Sequence, residues 1–198
     1  MSIMIITGPP GAGKTTVAAT LARSVPLGVH LIADQCFHWI VSGYVPPWRR
    51  ESYRQNITVI EAVGMAAGRF AAGGYEVVVD GIVGPWLLAE FHHATGIKTA
   101  DLCYVVLRPE RGVARQRALG RSDRLDLVDP GPIEAMYDAF SDLGPFEAHV
   151  IDSSHHDATA TVKAVQHGLE NGRFLLSANV NDSDEPALRG APDRASDP

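Results

Sequence analysis

Eight residues near the start of the chain, Gly8-Pro9-Pro10-Gly11-Ala12-Gly13-Lys14-Thr15, fit the spacing G-x-x-x-x-G-K-S/T in full. Such a run suits phosphate binding. Its glycines let successive backbone N–H groups turn inward on an anion, and the helix that follows adds the partial positive charge of its N-terminus. Lys14 is then placed to reach the β- and γ-phosphates of a nucleotide, and Thr15 to offer a hydroxyl to Mg2+. The nucleotide-binding stretch is thus Gly8, Pro9, Pro10, Gly11, Ala12, Gly13, Lys14 and Thr15, with Thr16 next to them. A glycine-rich turn that only caps a helix is the bland alternative. Lysine, however, occurs three times in the chain, and one of the three stands at the register the pattern needs.

Two carboxylates follow apolar runs. Asp34 in "LIADQCFHWI" is either a helix cap or a working group, because an unpartnered charge among apolar residues is costly to bury. Asp80 in "VVVDG" fits a strand-end carboxylate that holds Mg2+ through water beside Thr15, or one that makes a turn with Gly81. The segment 107–124 holds six of the fourteen arginines. Like charges four apart on a helix repel, so the cluster points to an anionic partner, with a solvated basic face as the alternative. On a closing lid at about 109–128, arginines of this cluster would stabilise charge on a transferring phosphoryl group. Between 42 and 56, Tyr44, Trp48, Arg50 and Gln55 offer aromatic walls and polar donors to a polyhydroxylated or aromatic substrate, with Trp86 as the opposite wall and Asp34 and Asp80 as further substrate contacts at the strand ends. A surface loop packing on the domain would look similar. The pairs His92-His93 and His155-His156 lack a carboxylate or cysteine at metal-binding spacing and read as surface residues.

These groups need a frame that brings them to one edge. Short apolar runs at 2–7, 29–33, 75–80, 101–108 and 148–152 alternate with helical patterns at 14–24, 35–41, 51–72, 86–94, 109–119, 132–142 and 157–170. That alternation predicts an α/β fold of three layers, α/β/α, around a five-stranded parallel sheet, with ligands beyond the carboxyl ends of the strands. Residues 1–176 form the expected domain. The segment 177–198 has five acids, two arginines and no apolar period, and reads as a disordered acidic tail. The formal net charge of −6 argues against a general nucleic-acid binder. Isolated Cys36 and Cys103 suggest free thiols in a reducing cytoplasm, and no apolar stretch is long enough to span a bilayer or to serve as a signal peptide.

The phosphate cradle, the "AD" after the second strand, "VVVDGIVGPW" and "RQRALGRSDR" together resemble small P-loop kinases of the chloramphenicol phosphotransferase and zeta-toxin type, with gluconate and shikimate kinases more distant. The resemblance covers residues 1 to about 170. It implies a P-loop NTPase fold with an arginine-rich lid, and an enzyme that transfers the γ-phosphate of ATP, with Mg2+, to a hydroxyl of a small molecule. It implies that Asp34 accepts the hydroxyl proton, and that Arg117 and Arg121 approach the adenine and phosphates. A nucleoside or nucleotide kinase, or a nucleotide-dependent ATPase or switch acting on a protein, are the other readings that these residues leave open.

Overall fold

The computed structural model describes residues 3–120 and 129–176. The five apolar runs form strands β1 (Ile3–Thr7), β2 (Gly28–Ile32), β3 (Glu76–Asp80), β4 (Leu102–Leu107) and β5 (Val150–Ile151). All pair in parallel, in the order β2-β3-β1-β4-β5. Every residue of β1 and β4 is buried, as expected of strands covered on both faces, whereas β2 at the edge is partly exposed.

Helices cover both faces. They are α1 (Lys14–Arg23), α2 (Ala33–Cys36), α3 (Tyr53–Ala72), α4 (Pro85–Thr95), α5 (Arg111–Leu119), α6 (Pro130–Ala139) and α7 (Ala158–Glu170). The two-residue period of β1 sorts its side chains. Ile3 and Ile5 pack with Val59, Ile60 and Val63 of α3 and Leu88 and Phe91 of α4. Met4 and Ile6 pack with Val17, Ala18 and Leu21 of α1 and Val162 and Val165 of α7. Each large apolar side chain buried in this way contributes about 1.5–3 kcal/mol. The expected three layers follow from this sorting.

Helix α3 sits close against α4. A Cβ at Gly68 would lie 2.0 Å from the Thr95 carbonyl oxygen, so glycine, unfavourable for helix propensity, is what permits the approach. Some boundaries differ from the sequence expectation. The helix expected at 35–41 is the short α2 followed by a 3-10 turn at Phe37–Trp39, because the chain turns extended at Ile40. Helix α6 begins at Pro130 rather than 132, since Asp129 caps it by accepting from the Gly131 N–H (3.0 Å) and proline suits its first turn. The fifth strand keeps only two residues because a 3-10 helix, Gly144–His149, leads into it. Part of the expected lid, including Arg121, and the expected acidic tail lie outside the described residues. Among the described residues no helix is long and apolar enough to cross a membrane.

Candidate active site

The loop from Gly8 to Gly13 joins β1 to α1 with Gly8, Gly11 and Gly13 at φ values of 138°, 81° and 90°. At Gly11 a Cβ would meet the Ala114 carbonyl oxygen at 2.0 Å, so the loop also rests directly on α5. Gly13 is the N-cap of α1 and has no side chain to accept from the first turn, whose N–H groups are therefore left to an anion. Lys14 is buried, and its Nζ donates to the carbonyls of Gly8 (3.0 Å) and Pro9 (3.1 Å), folding the side chain back over the loop.

At the end of β3, Asp80 is 2% exposed and both of its oxygens are engaged. The Thr15 hydroxyl donates to Oδ2 at 2.6 Å, and His30 Nε2 lies 2.5 Å from Oδ1. A hydroxyl and a carboxylate side by side at the phosphate loop form the hard-oxygen pair that a Mg2+ ion takes, so the residues fit that ion. His30 was not among the expected site residues. Its signal was present: it is the polar residue within the apolar strand "VHLIA", two positions before Ile32, which pairs with Asp80.

Asp34 follows β2 as the second residue of α2. The cap position belongs to Ile32, so the capping alternative for Asp34 is not what the structure contains. Its distance from β3 is set by Gly81, where a Cβ would come within 2.7 Å of the Ala33 Cβ and 3.4 Å of Asp34 Oδ1. Asp34 and Lys14 line the same cavity of about 380 Å3. Tyr44 and Trp48, both expected to contact substrate, form part of its wall, as does Trp86. Trp86 is braced edge-to-face against Phe140, with ring centroids 5.4 Å apart.

Other expected substrate residues stand elsewhere. Arg50 lies in a 3-10 turn outside the cavity wall. Gln55 binds the Val45 backbone, accepting from its N–H at 2.9 Å and donating to its carbonyl at 2.7 Å, and so fixes the loop instead of facing the cavity. Asp80 is beside Thr15 and does not line the cavity. Asn56, Phe37 and His38 do line it, as do Ala135, Met136 and Ala139 of α6. The α6 contribution had no local signal, because small and flexible apolar residues on a helix look like ordinary core positions.

The arginine cluster divides. Arg111 bonds Glu134 (3.1 Å) and Asp138 (2.6 Å) and stacks over Tyr137, and Arg115 bonds Glu134 (3.1 Å). For these two the anionic partner is α6, which corrects the expectation that the cluster as a whole awaits an anionic ligand. Arg108 forks onto Glu147 with two bonds of 2.7 Å and holds that carboxyl down at about 2. Arg117, one of the two expected lid residues, reaches across to the carbonyls of Ser153 and Ser154 in the loop after β5, each at 3.4 Å. Asp152 shapes that loop by accepting from the Ser154 N–H at 2.9 Å and from its hydroxyl.

The model of the AAA domain family AAA_33 matches residues 3–143, more than half of the chain. No curated protein matches it. Among solved structures, an unliganded sugar kinase from Janibacter is similar at a TM-score of 0.63 and 14% identity, over 92% of this chain and 99% of that one. A gluconokinase from Sinorhizobium meliloti gives 0.62 and 14%, over 87% and 93% of the two chains. Shikimate kinase from Acinetobacter baumannii, in complex with shikimate, gives 0.58 and 17%, over 87% and 94%. At these identities the likeness establishes a shared fold. The family match spans the phosphate loop, both carboxylates and the strands that hold them, and the chain belongs to the AAA domain family AAA_33, on a P-loop NTPase fold.

Proposed function

We propose that the protein is an ATP-dependent phosphotransferase whose acceptor is a hydroxyl of a small molecule. The observation that carries this reading is the common cavity of Lys14 and Asp34, which sets a phosphate-loop cation and a carboxylate around one volume. A phosphoryl group held by the loop and a hydroxyl held in the cavity would meet between them. Asp34 takes the hydroxyl proton as that oxygen forms its bond to the γ-phosphorus. The bond to the β,γ-bridging oxygen breaks, and ADP leaves.

Lys14 neutralises the phosphate charge, and Arg117, held against the carbonyls of the loop after β5, is the lid arginine that adds to it. Thr15 and Asp80 would hold Mg2+, which when bound supplies charge neutralisation at the β- and γ-phosphate oxygens. Transfer of this kind is mostly positioning, and the rigid sheet edge supplies it.

The test is ADP release from purified protein with and without a panel of hydroxylated acceptors, repeated with Asp34→Asn. Turnover should require an acceptor, and the variant should lose about 10²–10⁴-fold in kcat while binding ATP as before. Turnover that ignores every acceptor and survives Asp34→Asn would instead favour an ATPase or switch.

A further inference from the structure

We infer that the loop between α2 and α3 docks on an anionic lipid bilayer, with Trp39 and Val41 entering the interface and Arg49, Arg50 and Arg54 meeting the headgroups. The inference does not depend on the kinase reading, since none of these five residues lines the cavity. Among the described residues, Val41 at 96% and Trp39 at 73% are the most exposed of the large apolar side chains. Between them Ile40 is extended and packs against the core formed with α3 and α4, so the residues on either side of it are left outside. The loop is braced rather than slack. Gln55 holds both backbone groups of Val45, and the Pro47 carbonyl accepts from Ser52 Oγ at 2.8 Å and Asn56 Nδ2 at 2.7 Å. The exposed apolar tip is therefore preformed.

Charge says what covers it. From Phe37 to Ile60 the chain carries three arginines and a single acid, Glu51. Arg49, Arg50 and Arg54 are all exposed, and their guanidinium groups make no ion pair with a described residue. Arg111 and Arg115 of α5, in contrast, are spent on Glu134 and Asp138. The net charge of −6 acts weakly on this patch, because at physiological salt charges beyond about 8 Å are largely screened.

A second copy of the chain is a poorer occupant, since a two-fold interface on this loop would set arginines against arginines. Single-stranded nucleic acid would use the arginines and the indole but leave Val41 in water. An anionic bilayer serves every group at once. The indole and the aliphatic tip enter the interfacial layer, and the guanidinium groups remain at headgroup level. Phe37, His38, Tyr44 and Trp48 of the same loop belong to the cavity wall, so docking would set the candidate active site beside the bilayer.

The full chain is mixed with vesicles of phosphatidylcholine alone and of equal parts phosphatidylcholine and phosphatidylglycerol, and followed by co-sedimentation and tryptophan emission. It should sediment with the mixed vesicles and not with phosphatidylcholine alone, its emission should move to the blue, and high salt should release it. Val41→Asp, and separately Arg49→Gln with Arg54→Gln, should each lower the partition coefficient by about tenfold or more. Met65→Asp, the same change of charge at an exposed position farther along α3, should leave it unchanged. Circular dichroism checks that each variant is folded.

No partition onto the mixed vesicles, equal partition onto both kinds, or partition that survives either set of loop changes would overturn the inference. So would a dimer in sedimentation equilibrium that Val41→Asp dissociates, because a second copy would then cover this face. Failure to bind vesicles leaves the kinase reading as it stands. A protein that docks as expected but transfers phosphate to no acceptor sinks the kinase reading alone.

Discussion

At the scale of single residues, the site is built from charges that have been given partners rather than avoided. Asp80 is almost wholly buried, yet it receives the Thr15 hydroxyl on one oxygen and His30 on the other. Replacing His30 with alanine should leave one oxygen of a buried carboxylate without its neighbour. The expected loss is about 1–3 kcal/mol of stability in urea unfolding, together with a higher Mg2+ concentration for half-maximal turnover. His30→Gln, which keeps a donor near Oδ1, should recover much of both.

Only part of this group was legible beforehand. Asp80 could be found because an apolar run ending in Asp-Gly is a local pattern. His30 was marked only as a polar residue within an apolar strand, and its role depends on the register that sets Ile32 opposite Asp80. Gln55 and Arg50 failed as cavity residues for a related reason. Polar type and nearness in sequence do not say which way a side chain in a loop is spent, and Gln55 is spent on Val45.

At the scale of elements, the sheet and its helices were readable because burial on both faces leaves near-continuous apolar strands, and the helices between them keep a 3.6-residue period. Less readable were the places where two elements touch. The glycines of α3 weaken a helix by propensity, and only the packed structure reveals why they are there. Gly68→Ala would set a Cβ 2.0 Å from the Thr95 carbonyl oxygen. Since backbone must move to relieve it, the variant should lose about 1–3 kcal/mol, read as a lower denaturation midpoint.

Gly81 is the counterpart at the site. Gly81→Ala presses on Ala33 and approaches Asp34 Oδ1, so it should shift α2 away from the end of β3. The expected result is a fall in kcat of about tenfold or more, with ATP affinity retained, because the phosphate loop is a separate element. A loss of ATP affinity as large as the loss of kcat would mean that the two elements move as one. The lid illustrates the opposite limit of sequence reading. An arginine cluster was visible, but which arginines meet α6 acids depends on Glu134 and Asp138, 19 to 27 residues further on.

At the scale of the whole molecule, two titratable groups tie the fifth strand and its approach to the rest of the sheet, and they act in different pH windows. His149 ends the 3-10 helix before β5, with Nδ1 2.8 Å from the Tyr104 carbonyl oxygen of β4 and its ring among Tyr104, Phe146 and Phe174. Burial, and next to it the charge of Arg173, hold its pKa below the usual imidazole value, against the raising effect of the Tyr104 carbonyl. The unfolded chain therefore takes up the proton first as pH falls. His149 should weaken the fold progressively below about pH 6.5, until the folded-state pKa is passed.

Glu147 works lower down. The Arg108 fork and the Leu143 N–H depress its carboxyl to about 2, so its stabilising contribution is complete above the ordinary glutamate range and is lost as pH falls towards 2. Its carboxylate is half exposed, so solvent screening keeps that contribution modest. Thermal midpoints measured from pH 8 to 3 should separate the two. His149→Gln, which can still donate to Tyr104, should flatten the decline between about pH 7 and 5.5. Glu147→Gln should leave that part unchanged and flatten only the decline below about pH 4.5. If His149→Gln instead shifts the midpoint equally at every pH, the histidine contributes through packing and its hydrogen bond alone, and the acid sensitivity of this edge must come from another group.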